Sequence, residues 1–308
     1  MATKCIVLLS GGLDSRLALK IMQEQGFEIL AIFFKLPFGT GCCDENCSFN
    51  FSQLHGVKLK IIDCTKGKFL QEYLEVIKSA EHGRGSGINP CVDCRIFIFG
   101  KAKEIADREK IELVVTGEVL DERPMSQRKK SMEIIESKSG LKGRLLRPLS
   151  AKLLPETEAE KKGIIDRKNF YSIQGRKRGI QMNLAKKFNI SYPSPAGGCM
   201  LCEKQLSIRF KALLERGLDE NNIKLVEIGR HFIISKLWIV LGRNEKENKI
   251  LEFFKNKYNV IVPGFTGPSA IVIGRPSDNI LEKVNSIINA YSKRGSLKER
   301  KKFEKFKL

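Results

Sequence analysis

Two groups of residues in this chain have types and spacing suited to chemistry. The first is SGGLDS, residues 10–15, set between an apolar run and a helical pattern in LLSGGLDSRLALKIM. Gly11 and Gly12 let backbone N–H groups approach an anion, and a helix starting just beyond them adds partial positive charge. Ser10 and Ser15 add hydroxyl donors. A Walker loop would read GxxxxGK followed by serine or threonine, and no lysine stands here. Asp14 repels a bare polyphosphate, so its roles are to hold Mg²⁺ or to cap the helix start, and the residues alone leave both open. The second group is the nine cysteines, at 5, 42, 43, 47, 64, 91, 94, 199 and 202. Cys91/Cys94 and Cys199/Cys202 have CxxC spacing, and three more crowd the stretch GCCDENC. In a chain expected to be cytoplasmic, metal binding or sulfur chemistry fits them better than a disulfide framework.

The elements that must position these groups alternate strand and helix over residues 1–150. KCIVLLS, EILAIFFKL, VKLKIIDC and IELVVTGE read as buried strands. Helical patterns cover 14–25, FLQEYLEVIKSA and 91–110. That rhythm predicts an α/β fold with a parallel sheet covered on both faces, whose ligands sit at the carboxyl ends of the strands. Ser10, Asp63, Thr116 and Gly117 fall at such ends. From about 149 the rhythm weakens into an extension, 151–218, that carries TEAEKKGIIDR, KRGIQMNLAKKFNI and the proline–glycine loop SYPSPAGGCMLC. A small second α/β domain is expected over 219–292, with a hairpin of HFIIS and LWIVLG, two further strands and a helix at 277–291. Residues 293–308 read as a basic tail with no evident core face.

Composition narrows the partners. A 42% hydrophobic content supports a buried core, and a net charge of +20, from 55 Lys+Arg against 35 Asp+Glu, attracts polyanions. The basic residues are spread along the chain rather than placed on one amphipathic helix, which favours nucleic acid over a membrane surface. No run approaches ~18 apolar residues, so no membrane span is expected. The first residues read as a core strand rather than a signal peptide, since glycines and an aspartate follow at once. RPMSQRKK and QGRKRG set Arg123, Arg128, Lys129, Arg176, Lys177 and Arg178 in loops or at helix starts. These are candidates for phosphate contact or a solvated basic surface.

Several motifs are similar to those of known families. SGGLDS after a buried strand resembles the PP-loop of the N-type ATP pyrophosphatases. That likeness implies that Ser10, Gly11, Gly12, Asp14 and Ser15 cradle the pyrophosphate of ATP while an acceptor oxygen attacks the α-phosphorus. GINPCVDCRIFIFGKA resembles the NPCxxCN segment of the MnmA tRNA 2-thiouridine synthases, with Arg95 where asparagine is usual. VVTGEVLDERPMSQRKK occupies the place of their TGHYAR strand end, carrying Thr116 and Gly117, and Glu118 replaces the histidine. TGEVLDERPMSQR and PAGGCMLC are closer still to a shorter MnmA-like and ThiI-like group. The likeness spans residues 4–209.

For that group the resemblance implies a [4Fe-4S] cluster on Cys91, Cys94 and Cys199, with Cys202 standing where threonine is common. Three thiolates leave one iron open to hold a sulfide. Zinc on both CxxC pairs, a persulfide route through Cys91 and Cys199, and inert buried cysteines are the alternatives. Cys42, Cys43 and Cys47 are expected in a surface loop, and Cys5 and Cys64 in the core. GRHFIISKLWIVLGRNEKENKILEFF resembles an NFACT-R-like RNA-binding domain through Gly242, Arg243 and Asn244. There Trp238 is expected in the core and His231 in a structural or RNA-facing position.

The implied function is ATP-dependent tRNA thiolation, 4-thio or 2-thio. ATP adenylates a uridine carbonyl, and a sulfur nucleophile displaces AMP. Asp14, Cys91 and Cys199 are the implied catalytic residues, ATP, Mg²⁺ and the cluster the cofactors. tRNA and a sulfur donor, free sulfide or a persulfide carrier, are the partners. Arg123 and Gln127 are candidates to touch ATP or the base. The rivals are a PP-loop amide or amidine synthetase acting on a small molecule, and a zinc-stapled RNA-binding protein with a degenerate ATP site.

Overall fold

The strand KCIVL is apolar without alternation, which suits a central parallel strand buried on both faces. In the computed structural model, which describes residues 3–39, 45–193 and 199–308, it takes that place. β1 (Lys4–Leu8), β2 (Glu28–Lys35), β3 (Lys58–Asp63), β4 (Leu113–Thr116) and β5 (Leu145–Leu146) form an all-parallel sheet in the order β3-β2-β1-β4-β5. Side chains alternate across it. Cys5 and Val7 face one apolar core, and Ile6 and Leu8 face the other. The chain steps one way from β1 to β2 and β3, then returns to the far side with β4. The crevice at that reversal, beyond the ends of β1 and β4, is where such sheets bind ligands.

The helices of this first unit are α1 (Leu13–Glu24), α2 (Glu45–Leu54), α3 (Gly67–Ser79), α4 (Cys91–Arg108), α5 (Lys129–Ser139), α6 (Glu158–Lys161) and α7 (Gly179–Lys187). Leu17 and Ala18 of α1 and Leu184 and Ala185 of α7 join the core under one face, while Ile98, Phe99 and Ala102 of α4 fill the other. Each such leucine, isoleucine or phenylalanine buried fully stabilises the fold by about 1.5–3 kcal/mol. Several details depart from the sequence reading. The stretch around Cys47, expected as a surface loop, is α2, which buries Ser48, Phe51 and Ser52. β5 has two residues, too short for a periodic signal. α6 is one turn, where a longer helix was expected, and Gly163 follows it with φ +68°. Cys42, Cys43 and residues 194–198, which include PAGG, lie outside the described residues.

The chain divides into compact units Met1–Lys204 and Gln205–Leu308. The extension expected over 151–218 is therefore divided: it belongs to the first unit as far as Lys204, with Ile165, Phe170 and Ile173 in that unit's core, and to the second unit from Gln205. The second unit begins with α8 (Lys204–Leu214). β6 (Arg230–Ile234), β7 (Leu237–Leu241), α9 (Glu245–Glu252), β8 (Asn259–Ile261), β9 (Ala270–Ile273), α10 (Asp278–Tyr291) and α11 (Leu297–Lys301) follow. Its sheet is antiparallel, in the order β6-β7-β9-β8, with Val284, Ile287 and Ile288 of α10 in the core. His231 is buried and structural: Trp238 Nε1 donates to its Nδ1 at 2.9 Å, and its Nε2 lies 2.8 Å from the Ile228 carbonyl. No helix of the described residues is long and apolar enough to cross a membrane.

The last residues are not a free tail. Phe303 and Phe306 pack on the core of the second unit, Phe232 bridges Lys307, and Leu308 N donates to His231 O at 2.9 Å. Two phenylalanines among many charges carry no periodic signal, so the sequence showed only the charge. Deleting 293–308 is expected to destabilise the second unit by about 2–3 kcal/mol, roughly the burial lost with those rings. Hydrogen exchange along β6 checks this; unchanged protection there after the deletion contradicts it.

Candidate active site

The SGGLDS loop is shaped by its glycines. Gly11 has φ +80°, a left-handed conformation that side chains disfavour. Gly12 is the N-cap of α1 with an extended backbone, and a Cβ there would meet nothing nearer than Ser10 Oγ at 3.8 Å. Neither backbone nor packing demands glycine at this position. Its missing side chain leaves a cradle before the unbonded N–H groups of the first helical turn, the fit expected for a phosphate of ATP. Ser15 Oγ donates to Gly12 O at 2.9 Å, and Ser10 Oγ lies 3.3 Å from Ser15 Oγ.

Beneath the loop lies a residue the sequence reading missed. Arg16, 5% exposed, donates from Nε to Gly11 O at 2.7 Å and from Nη1 to Ser191 O at 2.7 Å. Its Nη2 lies 2.9 Å from Cys47 Sγ, and its guanidinium sits 4.6 Å from the Phe51 ring centroid. One buried cation thus braces the PP-loop, α2 and the strand of chain that leads toward Cys199. The only sequence signal was an arginine followed by the apolar run LAL.

Asp14 sits at the mouth of the loop. Burial pushes its carboxyl up to about 6, Glu122 adds to the rise, and Arg178 and Arg123 oppose it. Its Oδ1 is buried with no hydrogen-bond partner, and its Oδ2 is 3.9 Å from Arg178 Nη2. Arg178 is itself held by Glu122 Oε1, at 3.1 Å from Nε and 2.5 Å from Nη2. Gly12, not Asp14, is the helix cap. An orphaned carboxylate oxygen beside a second carboxylate is what a divalent cation relieves, so these residues fit Mg²⁺ with Asp14 as a ligand.

The neighbouring strand end touches the PP-loop directly and reaches the cysteines through Arg95. A Cβ on Gly117 would stand 2.4 Å from Asp14 C and Ser15 N, so the end of β4 lies directly on the PP-loop backbone. The next residue, Glu118, is buried; its Oε1 is 3.4 Å from Arg95 Nε and its Oε2 accepts from Arg147 Nε at 3.1 Å. Arg147 also bonds Glu136. The two departures from the MnmA pattern, Arg95 and Glu118, therefore face each other. Gln127, a sequence candidate for ATP or base contact, is buried and closes its own loop: its Oε1 accepts from Arg123 N at 2.9 Å. The second basic loop pairs alongside, Leu120 bridging Gln174. Arg123, Arg128, Lys129, Arg176 and Lys177 are exposed.

Cys91 opens α4 and Cys94 lies one turn on, so the CxxC spacing puts both on one helix face. Gly87, with φ +68°, has no room for a Cβ against Leu201 O, 2.4 Å away, and Ile88 N donates to the same carbonyl at 3.0 Å. This seam brings the two CxxC pairs together. Asn89 Nδ2 lies 3.0 Å from Cys91 Sγ and 2.9 Å from Cys202 Sγ; Tyr73 Oη is 3.6 Å from Cys94 Sγ; Cys199 Sγ is 3.6 Å from Phe38 O. Burial raises the Cys91 and Cys94 thiols and pushes Cys199 up to about 12, with neighbouring cysteines adding; Arg95 opposes the rise at Cys91 and Cys94. Among the described residues no three Cys, His, Asp or Glu side chains stand at metal-ligand spacing. The donor set, three half-buried thiols that feel one another's charge, nonetheless has the chemistry to hold a thiolate-bound cluster, losing protons as it binds. Cys5 and Cys64 are fully buried in the core, as expected.

A parallel sheet whose first strand ends in SGGLDS, with an open helix turn behind the loop, defines a PP-loop nucleotide-binding protein. The profile of the Thiamine biosynthesis protein (ThiI) family matches residues 1–157, and that of the NFACT protein RNA binding domain matches 229–304. The chain belongs to the ThiI family. The tRNA-specific 2-thiouridylase MnmA of Acidithiobacillus ferrooxidans is 31% identical over 111 residues, covering 35% of this chain and 31% of that protein. The Helicobacter pylori protein of the same name is 32% identical over 122 residues, 37% of this chain and 34% of its own. The chain thus matches about a third of the length of these relatives. A solved 4-thiouridine synthetase–RNA complex with bound ATP aligns at 18% identity and a TM-score of 0.38, covering 61% of this chain and 50% of that one.

Two outcomes follow from this geometry. Gly117→Ala forces the strand end off the PP-loop backbone, and at least a tenfold loss of ATP affinity is expected by calorimetry. An unchanged affinity contradicts the contact. The Asp14 carboxyl rises from 3.8 unfolded to about 6 folded, so the folded chain keeps a proton that the unfolded chain has released. Stability therefore falls as pH rises through that window. Asp14→Asn is expected to stabilise the nucleotide-free protein by about 2–3 kcal/mol above that window and to abolish AMP formation. Equal stability of the two proteins at neutral pH contradicts the buried charge.

Proposed function

We propose that this chain is an ATP-dependent tRNA thiouridine synthase. The observation that carries the reading is the pair Gly117 and Glu118: one residue rests on the PP-loop and the next holds Arg95 beside the cysteines. Arg123 acts electrostatically on Asp14 and on Cys91 and Cys94 alike. An ATP-activating loop and a thiol cluster that share a strand end suit a reaction that first adenylates a carbonyl and then delivers sulfur to it.

In this reading the uridine carbonyl oxygen attacks the α-phosphorus and pyrophosphate leaves. The PP-loop amides and the Ser10 and Ser15 hydroxyls hold the phosphates, and Asp14 would hold Mg²⁺, whose chemistry there would be to neutralise their charge. A sulfur nucleophile then attacks the activated carbon, and AMP departs with the former carbonyl oxygen. Cys91, Cys94 and Cys199 would hold the [4Fe-4S] cluster, whose chemistry is to present sulfide at an open iron. Family membership supports the tRNA substrate, as do the RNA-binding domain match and the surplus of 55 Lys+Arg over 35 Asp+Glu. The sulfur comes from free sulfide or a persulfide carrier.

Incubating the protein anaerobically with tRNA, ATP, Mg²⁺ and sulfide is expected to give thiouridine by nucleoside mass spectrometry, with AMP formed alongside. AMP formed on a small carboxylic acid without RNA would favour an amide synthetase instead. Iron content of single variants tests the cysteines. Cys91→Ala, Cys94→Ala and Cys199→Ala should each lose iron, and Cys202→Ala should keep it. Zinc lost from all four variants would indicate a zinc staple, and an iron-free active protein needing only Cys91 and Cys199 would indicate the persulfide route.

A further inference from the structure

The C-terminal unit gathers arginines that, among the described residues, form no direct ion pair: Arg209, Arg230 and Arg300. Arg230 on β6 and Arg300 on α11 both lie against the ring of Tyr291, their guanidinium carbons 5.2 and 5.4 Å from its centroid. Arg300 Nε donates to Ala290 O at 3.0 Å, and Arg230 Nη1 to Gly242 O at 3.2 Å. Arg209 of α8 bonds Val226 O at 3.0 Å through Nη1, while its Nε is buried with no partner among the described residues. For these three arginines the partners are backbone carbonyls and a ring, and most of each guanidinium fork stays unused. Arg243 stands nearby, paired with Glu247 at 2.9 Å. The nearest acid to Tyr291, Glu304, is taken by Lys307 at 3.1 Å and by the Tyr291 hydroxyl at 3.3 Å.

Burial lowers the proton affinity of Arg230, and Arg300 and Arg243 lower it further against the opposing pull of Tyr291 and Glu247; burial and Arg243 lower that of Arg209, with Glu247 opposing. Like charges drawn together and partly desolvated cost free energy unless an anion sits among them. Planar forks braced on an aromatic ring match phosphate oxygens in pairs. We propose that Arg230 and Arg300, both against Tyr291, form a phosphate site for the sugar–phosphate backbone of RNA, flanked by Arg243 and Arg209. This rests on the reading of the C-terminal unit as RNA-binding, and not on the thiolation chemistry.

The test uses the full chain, with a single-stranded oligouridylate and tRNA as probes, titrated across salt concentration. Arg230→Gln with Arg300→Gln is expected to weaken both about tenfold or more near physiological salt and to reduce the salt slope by about two. AMP formation at saturating tRNA should be unchanged. Arg230→Lys with Arg300→Lys keeps the charge and should keep the slope while losing part of the affinity; it also serves if the glutamine variant unfolds. An unchanged slope in the glutamine variant overturns the site, as does binding to phosphatidylserine vesicles in preference to RNA. Wild-type protein that binds oligouridylate but never forms thiouridine leaves the phosphate site standing and removes the thiolation reading.

Discussion

The close approach of Gly117 to the backbone of Asp14 and Ser15 is the contact on which the rest of the site depends. No side chain fits at a distance of 2.4 Å, so β4 can end on the PP-loop only with glycine there. Because the chain is pinned at Gly117, Glu118 must turn into the protein interior, where Arg95 and Arg147 meet it. Burying those charges costs desolvation that the pairing largely offsets, so the network adds position more than stability. Its consequence is that the first turn of α4, with Cys91 and Cys94, is set against the end of β4. Arg16 supplies a matching brace from below, joining the loop to α2 and to Ser191.

Electrostatics gives the two halves of the site opposite problems with a common answer. Asp14 is a carboxylate held where charge is disfavoured, and the cysteines are thiols held where thiolates are disfavoured. Both are eased by cations. Arg123 and Arg178 ease the first, Arg95 and Arg123 the second. Negative charge in both places is costly without a cation beside it.

Local structure was legible in the sequence where it depends on neighbouring residues. The strand–glycine loop–helix join, the four main strands with their carboxyl ends, the helix that opens at Cys91 and the hairpin around Trp238 all read correctly, because each is set by a short pattern. What could not be read depends on contacts distant along the chain. Arg16 is buried by Ser191 and Cys47, and nothing near it in sequence says so. Arg95 and Glu118 looked like two unrelated departures from a family pattern until the fold placed them 3.4 Å apart. The final residues looked like a solvated charge run because Phe303 and Phe306 find their partners on β6 and α10. Cys202 looked peripheral, yet it shares Asn89 with Cys91.

The most direct test follows the oxygen atom. tRNA carrying heavy oxygen in its uracil carbonyls can be incubated with the protein, ATP, Mg²⁺ and sulfide, and the AMP recovered for mass spectrometry. If the PP-loop directs the carbonyl oxygen onto the α-phosphorus, each thiouridine formed is matched by one AMP bearing one heavy oxygen. AMP without the label, formed at the same rate as thiouridine, would mean that ATP activates something other than the uridine carbonyl.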